Sequence, residues 1–226
     1  MNPDQWSFFL PGILLGAILT ATLAMLGVQL RLRREAVAAF SYTQVAVLGA
    51  MLALLWHLPP LIGAWALALI AGLGLLAFSR QDADRGGQHL GLLALAWALS
   101  LLIADNLPEA RMLGTAAVEG QLLLIRWQDW PGLLTPLAAA AVLLALVGRR
   151  WLADQRVPWL GDQSGPVLRR AALREVAVVS LLAVGALGLG VLLTLALIVL
   201  PAWAVWDRAA SFRRALAEAA ALALLA

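Results

Sequence analysis

The sequence predicts an all-α fold: a polytopic transmembrane helical bundle of about six to eight membrane segments, including a glycine-broken pair. Three observations carry this. Hydrophobic residues make up 63% of the chain and charged ones 13%, with a mean hydropathy of +0.89, whereas soluble domains carry about a quarter charged residues. Apolar blocks of spanning length alternate with polar breaks. The sixteen basic residues are all arginine and fall almost entirely in every second break. A soluble enzyme is excluded on composition. The net charge of +3 does not point to nucleic acid, because the arginines flank apolar spans instead of forming a basic face on a polar domain. Without cysteine there is no disulfide and no thiolate chemistry.

Taken in order, the first apolar block runs over 8–30 and is followed by Arg31, Arg33 and Arg34. The residues before it include Asp4 and no basic side chain, so it lacks the basic start of a signal peptide and is expected to stay as a helix. Helices are expected near 8–28, 40–56, 61–78, 90–104 and 133–147. The positive-inside rule then places Arg31, Arg33, Arg34, Arg80, Arg85 and the arginines of 149–174 in the cytoplasm, with Arg111 and Arg126 outside. This orients the chain as a multi-pass protein of the cell inner (plasma) membrane with its N-terminus outside. Trp56, Trp127 and Trp130 fall where an aromatic belt would lie.

The stretch 176–206 raises a question of parity, because a single crossing would put Arg208, Arg213 and Arg214 outside, against every other arginine cluster. Gly185, Gly188 and Gly190 lie in its middle. The expectation is a helix that descends partly over 176–189, reverses at the glycines and returns over 191–201. Such breaks persist at membrane depth only where protein buries them or a cavity is lined by them. The alternative is one long tilted helix.

Chemical motifs are scarce. His57 and His89 fall at expected membrane boundaries on separate loops, with no HExxH, no metal-ligand spacing and no glycine-rich phosphate loop, so neither a resident metal nor a cofactor is implied. The GDQSGP run over 161–166 has the wrong spacing for a serine nucleophile and no histidine base, and reads as a turn. Gly12 and Gly16 read as close helix packing. No ionisable pair lies within the expected spans, which ranks an intramembrane enzyme last. The segment 148–175 is the longest polar stretch, with six arginines, Asp154, Asp162, Pro158, Trp159 and Pro166. It reads equally as a solvated loop that fixes orientation and as a cytoplasmic surface that a motor subunit could grip.

The order of these features resembles the permease subunits of ABC importers for zinc and manganese, the ABC-3 family. Leu10-Pro11-Gly12-Ile13-Leu14-Leu15-Gly16-Ala17 is similar to the family's opening helix, and the arginines up to Arg34 to the basic step after it. The run VLLTLALIVLP over 191–201, preceded by Gly190, resembles the family's late apolar segment ending in proline. The run GQLLLIRWQDWPGLL over 120–134 resembles its outer segment. The family usually carries a Gly-Asp pair and then a histidine one helical turn after the aspartate, which share a helix face and suit a divalent ion. Here the matching positions are Ala39, Phe40 and Gln44. Phe40 cannot ligate a metal, and Gln44 offers one weak carbonyl oxygen. The end also departs from the family, since 215–226 is too short to span and makes the chain look short at its C-terminus.

The resemblance implies a single transmembrane permease domain over 1–226 with no catalytic activity of its own. A separate ABC ATPase subunit would drive it, an extracytoplasmic substrate-binding protein would supply it, and a homodimer in the lipid bilayer would form the passage. The translocation path is expected along Phe40, Tyr42, Thr43, Gln44 and Thr194, and the ATPase contact at Asp154, Arg156, Trp159 and Gly161 of the loop 148–175. The alternative is a non-transporting membrane scaffold derived from such a permease, which the loss of a carboxylate at Phe40 favours.

Overall fold

The computed structural model describes residues 3–32, 35–78, 85–120, 132–142, 165–209 and 211–225, and among these every regular element is helical. In chain order they are α1 (Pro3–Leu32), α2 (Ala36–Leu55), α3 (Pro60–Phe78), α4 (Arg85–Asn106) and α5 (Pro108–Glu119). Then follow α6 (Gly132–Val142), α7 (Gly165–Gly188), α8 (Val191–Trp206) and α9 (Phe212–Leu225). Five helices, α1 to α4 and α7, are long and apolar enough to cross a membrane, and α6 and α8 are shorter apolar helices.

These helices are apolar on their outer faces as well as inside, which suits lipid as the surrounding solvent. In α1, Leu15, Leu19, Leu23, Leu26 and Leu30 recur at helical spacing and are buried, while Leu10, Ile13, Leu14 and Ile18 face outward. Ile70 of α3 and Leu95, Trp97, Leu101 and Leu102 of α4 extend the exposed apolar surface. A soluble protein rarely shows so large a patch.

The α2 helix is the centre, packed by α3, α4, α5 and α7. Glycine sets the closest approach: a Cβ on Gly49 of α2 would overlap the Gly63 carbonyl of α3, and one on Gly63 would overlap that of Gly49. Backbones this close gain dispersion and leave no room for a larger residue. On the other side α1 packs against α8 and α9, with Gly27 against the Ile198 carbonyl. Ala215, Ala219 and Ala223 form the buried stripe of α9.

The glycine-broken pair is present. After α7 the chain turns at Leu189 and Gly190, the latter at φ +89°, and α8 runs back. The reversal shows in the contacts: Gly188 faces Leu19, midway along α1, while Thr194 of α8 lies against Gly185 of α7. Farther along α8, Trp203 and Trp206 reach Arg31 at the end of α1.

Several boundaries differ from expectation. The helices start one to five residues earlier than expected, α2 ends one residue sooner, at Leu55, and α5 occupies an outer segment for which no helix is expected: Pro108 opens it and Gly120, at φ +82°, closes it. Its Ala110 and Ala117 pack on Val47 and Met51 of α2. The polar stretch 148–175 does not end as a loop, because Gly165 onward belongs to α7 and its Arg174 and Glu175 are buried. Residues 143–147 of the fifth expected helix lie outside the described residues. So do Trp127 and Trp130 of the expected aromatic belt.

Candidate translocation site

Four consecutive polar residues, Ser41 to Gln44, sit on the central helix. Successive residues on a helix point about 100° apart, so each meets a different neighbour. The Ser41 hydroxyl lies 2.9 Å from Nδ1 of His89 on α4. Tyr42, buried, donates its hydroxyl to Glu175 Oε2 on α7 at 3.1 Å and meets the His89 ring edge-on at 5.2 Å. Thr43 donates to its own helix, to the carbonyls of Ala39 at 2.8 Å and Phe40 at 3.0 Å. Gln44 Nε2 reaches Ser100 Oγ on α4 at 3.4 Å. The Phe40 ring is 40% exposed on the outer side of α2. Within one chain, therefore, the expected path residues of α2 fan out instead of converging.

Thr194 stands apart from them, at the break. It is fully buried, its backbone N–H bonds the Gly190 carbonyl at 3.0 Å, and its hydroxyl has no hydrogen-bond partner among the described residues. A threonine in a helix ordinarily donates back to a carbonyl one turn earlier, as Thr43 does. Here the carbonyl one turn back belongs to Gly190, the residue where the helix begins. An unpaired buried hydroxyl costs about 1–3 kcal/mol. Asp154, Arg156, Trp159 and Gly161, the expected ATPase contact, lie outside the described residues.

A further polar cluster gathers residues that lie far apart in the sequence. Glu35, Tyr42, Arg85, Gln88, His89, Arg174 and Glu175 line a cavity of about 30 Å³ where α2, α3, α4 and α7 meet, room for about one water. Arg174 pairs with Glu175, and Arg85 lies 3.7 Å from Glu35. Burial, and then the nearby Glu175 charge, push the Glu35 carboxyl up to about 7, against the pull of Arg85. His89 is thus part of a helix and packed against α2, not a loop histidine, and Glu175 is an ionisable group inside a spanning helix. The signals were in the chain: Arg85 and His89 are one turn apart on one face, and Arg174-Glu175 sits between Leu173 and Val176 in an otherwise apolar run. Among the described residues no three His, Asp or Glu side chains gather as a metal site.

Comparison with curated proteins gives no match. Among solved structures, the chain is similar to PsaBC from Streptococcus pneumoniae in complex with Fab, at 16% identity and a TM-score of 0.79, over 96% of this chain and 79% of that one. It is also similar to a metal-chelate type ABC transporter in an inward-facing conformation, at 19% identity and a TM-score of 0.60, over 97% of this chain and 77% of that one. At these identities the likeness establishes the helical fold. The sequence itself matches the description of the ABC 3 transport family over residues 5–226, the family that the opening helix and the glycine-broken segment resemble. The chain is a multi-pass membrane protein and belongs to the ABC 3 transport family.

Proposed function

We propose that the chain is the membrane-spanning permease subunit of an ABC importer for a divalent metal ion such as zinc or manganese. One observation carries the reading: in a member of this family, α7 breaks at membrane depth beside a buried, unpaired Thr194 hydroxyl. Broken helices in transporters gather backbone and side-chain dipoles around the cargo. Two copies of the chain would form the passage, lined by Phe40, Tyr42, Thr43, Gln44 and Thr194. The metal in the name of one structural relative favours a metal-containing cargo. A separate ABC ATPase would supply the energy, gripping Asp154, Arg156, Trp159 and Gly161, and a substrate-binding protein would deliver the ion on the opposite side, where the N-terminus lies.

One observation favours a second reading, a scaffold that no longer transports: Phe40 stands where the family's carboxylate is expected, and no other acidic side chain shares its turn of α2. Reconstitution of the chain with its ATPase and binding protein in proteoliposomes separates the two. ATP-dependent uptake of zinc or manganese that falls with Thr194→Val and Gln44→Leu supports the permease. A stoichiometric complex that hydrolyses ATP without moving either ion overturns the metal cargo. A folded chain that never binds the ATPase leaves the scaffold.

A further inference from the structure

Beyond the translocation path, the ends of α1 and α8 enclose a groove of about 440 Å³. Gly27, Leu30, Ile198, Val199 and Ala202 make it apolar along its length. Its mouth is Arg31, in the last turn of α1, flanked by two tryptophans of α8. The guanidinium carbon lies 5.0 Å from the Trp203 ring centroid and 5.3 Å from that of Trp206. A guanidinium held over two rings by its charge keeps N–H donors available to an anion. No described residue accepts from that edge or pairs with the charge. The arginines at positions 85, 111, 174 and 214 each have a carboxylate, whereas Arg208 and Arg213, like Arg31, have none among the described residues.

A cation with no counter-charge among the described residues, at the end of a spanning helix and above an apolar slot, fits a ligand that is anionic at one end and apolar at the other. We propose that this groove binds one anionic phospholipid, its phosphate on the N–H edge of Arg31 and an acyl chain along Gly27, Ile198 and Ala202. Arginine meets phosphate through two parallel donors, and tryptophan settles at headgroup depth. A basic side chain beside a membrane span already draws anionic lipid. Trp203 is 65% exposed, so the mouth opens toward the leaflet and a lipid enters sideways.

The test is native mass spectrometry of the full chain in detergent, titrated with phosphatidylglycerol, with phosphatidylcholine and with inorganic phosphate, alongside Arg31→Gln and Ala202→Leu. The expected result is one phosphatidylglycerol retained, about fivefold weaker binding for Arg31→Gln, and loss of retention for Ala202→Leu, which fills the slot and keeps the charge. Equal retention of phosphatidylcholine overturns the proposal, because Arg31 then reads no headgroup charge. Binding of phosphate alone with the same dependence on Arg31 also overturns it, because the slot then has no part. The chain has no cysteine, so Val199→Cys, on the partly exposed lining of the groove, reports on a protein occupant. Disulfide dimers of that variant in native membranes, with no lipid retained, would assign the groove to a second copy and sink the lipid.

Discussion

The Tyr42 hydroxyl of α2 donates to Glu175 of α7 across 3.1 Å, and Arg174 pairs with the same carboxylate. Arg174 and Glu175 are both buried, at 5% and 8% exposure, so the phenol helps to satisfy a carboxylate with little access to water. Tyr42→Phe keeps the packing and removes one donor, with an expected loss of about 1–3 kcal/mol. Glu175→Ala leaves Arg174 without this carboxylate and should cost more, about 3–5 kcal/mol. Thermal unfolding in detergent ranks the two. If Tyr42→Phe unfolds at the wild-type temperature, the phenol is not engaged.

Gly190 is expected to tolerate no side chain. Its φ of +89° lies where L residues are strained, and an added Cβ would come within 2.7 Å of the Val118 carbonyl and 2.8 Å of the Gly120 nitrogen. The backbone strain alone costs about 1–3 kcal/mol, and both neighbours are backbone with nowhere to go. Gly190→Ala should therefore lower yield and melting temperature sharply. Gly74→Ala on α3 is the control, since nothing lies within 4 Å of its added Cβ and alanine favours a helix by up to about 1 kcal/mol. Equal behaviour of the two variants would remove the special status of the break.

How far the sequence could be read follows from the range of the interactions involved. Spans such as α1 were legible because an apolar block of bilayer length ends at Arg31, and both signals are local. The break at Gly190 was legible because glycines coincide with a charge-parity conflict at Arg208, Arg213 and Arg214. By contrast, the bond from Tyr42 to Glu175 joins residues 133 apart, and counting Glu175 with the arginine-rich stretch before it hid its burial. The α5 helix is hard to read from sequence because Glu109, Arg111 and Glu119 interrupt its apolar pattern, although Pro108 is a recognised helix-opening signal. Gln44 was placed on the right helix, but only packing could reveal Ser100 as its partner.

Thr194 carries a prediction whose two readouts move in opposite directions. Its buried hydroxyl has no partner, so Thr194→Val, nearly the same shape, removes an unpaid desolvation cost. Stability should rise by about 1–3 kcal/mol, seen as a higher melting temperature of the purified chain. If the hydroxyl serves the passing ion, uptake by the reconstituted transporter should fall in the same variant. A variant less stable than wild type would mean that the hydroxyl has a partner in the folded protein.

Glu35 gives the protein a pH dependence with a definite sign. In the folded chain its carboxyl titrates near 7, against 4.5 when unperturbed, because burial and Glu175 disfavour the anion more than Arg85 favours it. The folded state therefore holds a proton between pH 4.5 and 7 that the unfolded chain has released, and stability falls as the pH rises through that window. Integrated over it, the loss is about 3 kcal/mol, with no further change from this group above pH 7. Glu35→Gln keeps the shape and stays neutral, so its melting temperature should vary less from pH 5 to pH 8 than that of the wild type. The two proteins should coincide most closely below pH 4.5, where Glu35 is itself neutral in both the folded and the unfolded chain. A wild-type profile that is flat across this range, or one that Glu35→Gln leaves unchanged, would show that the carboxyl is already ionised in the fold at pH 5 and that Arg85 offsets its burial.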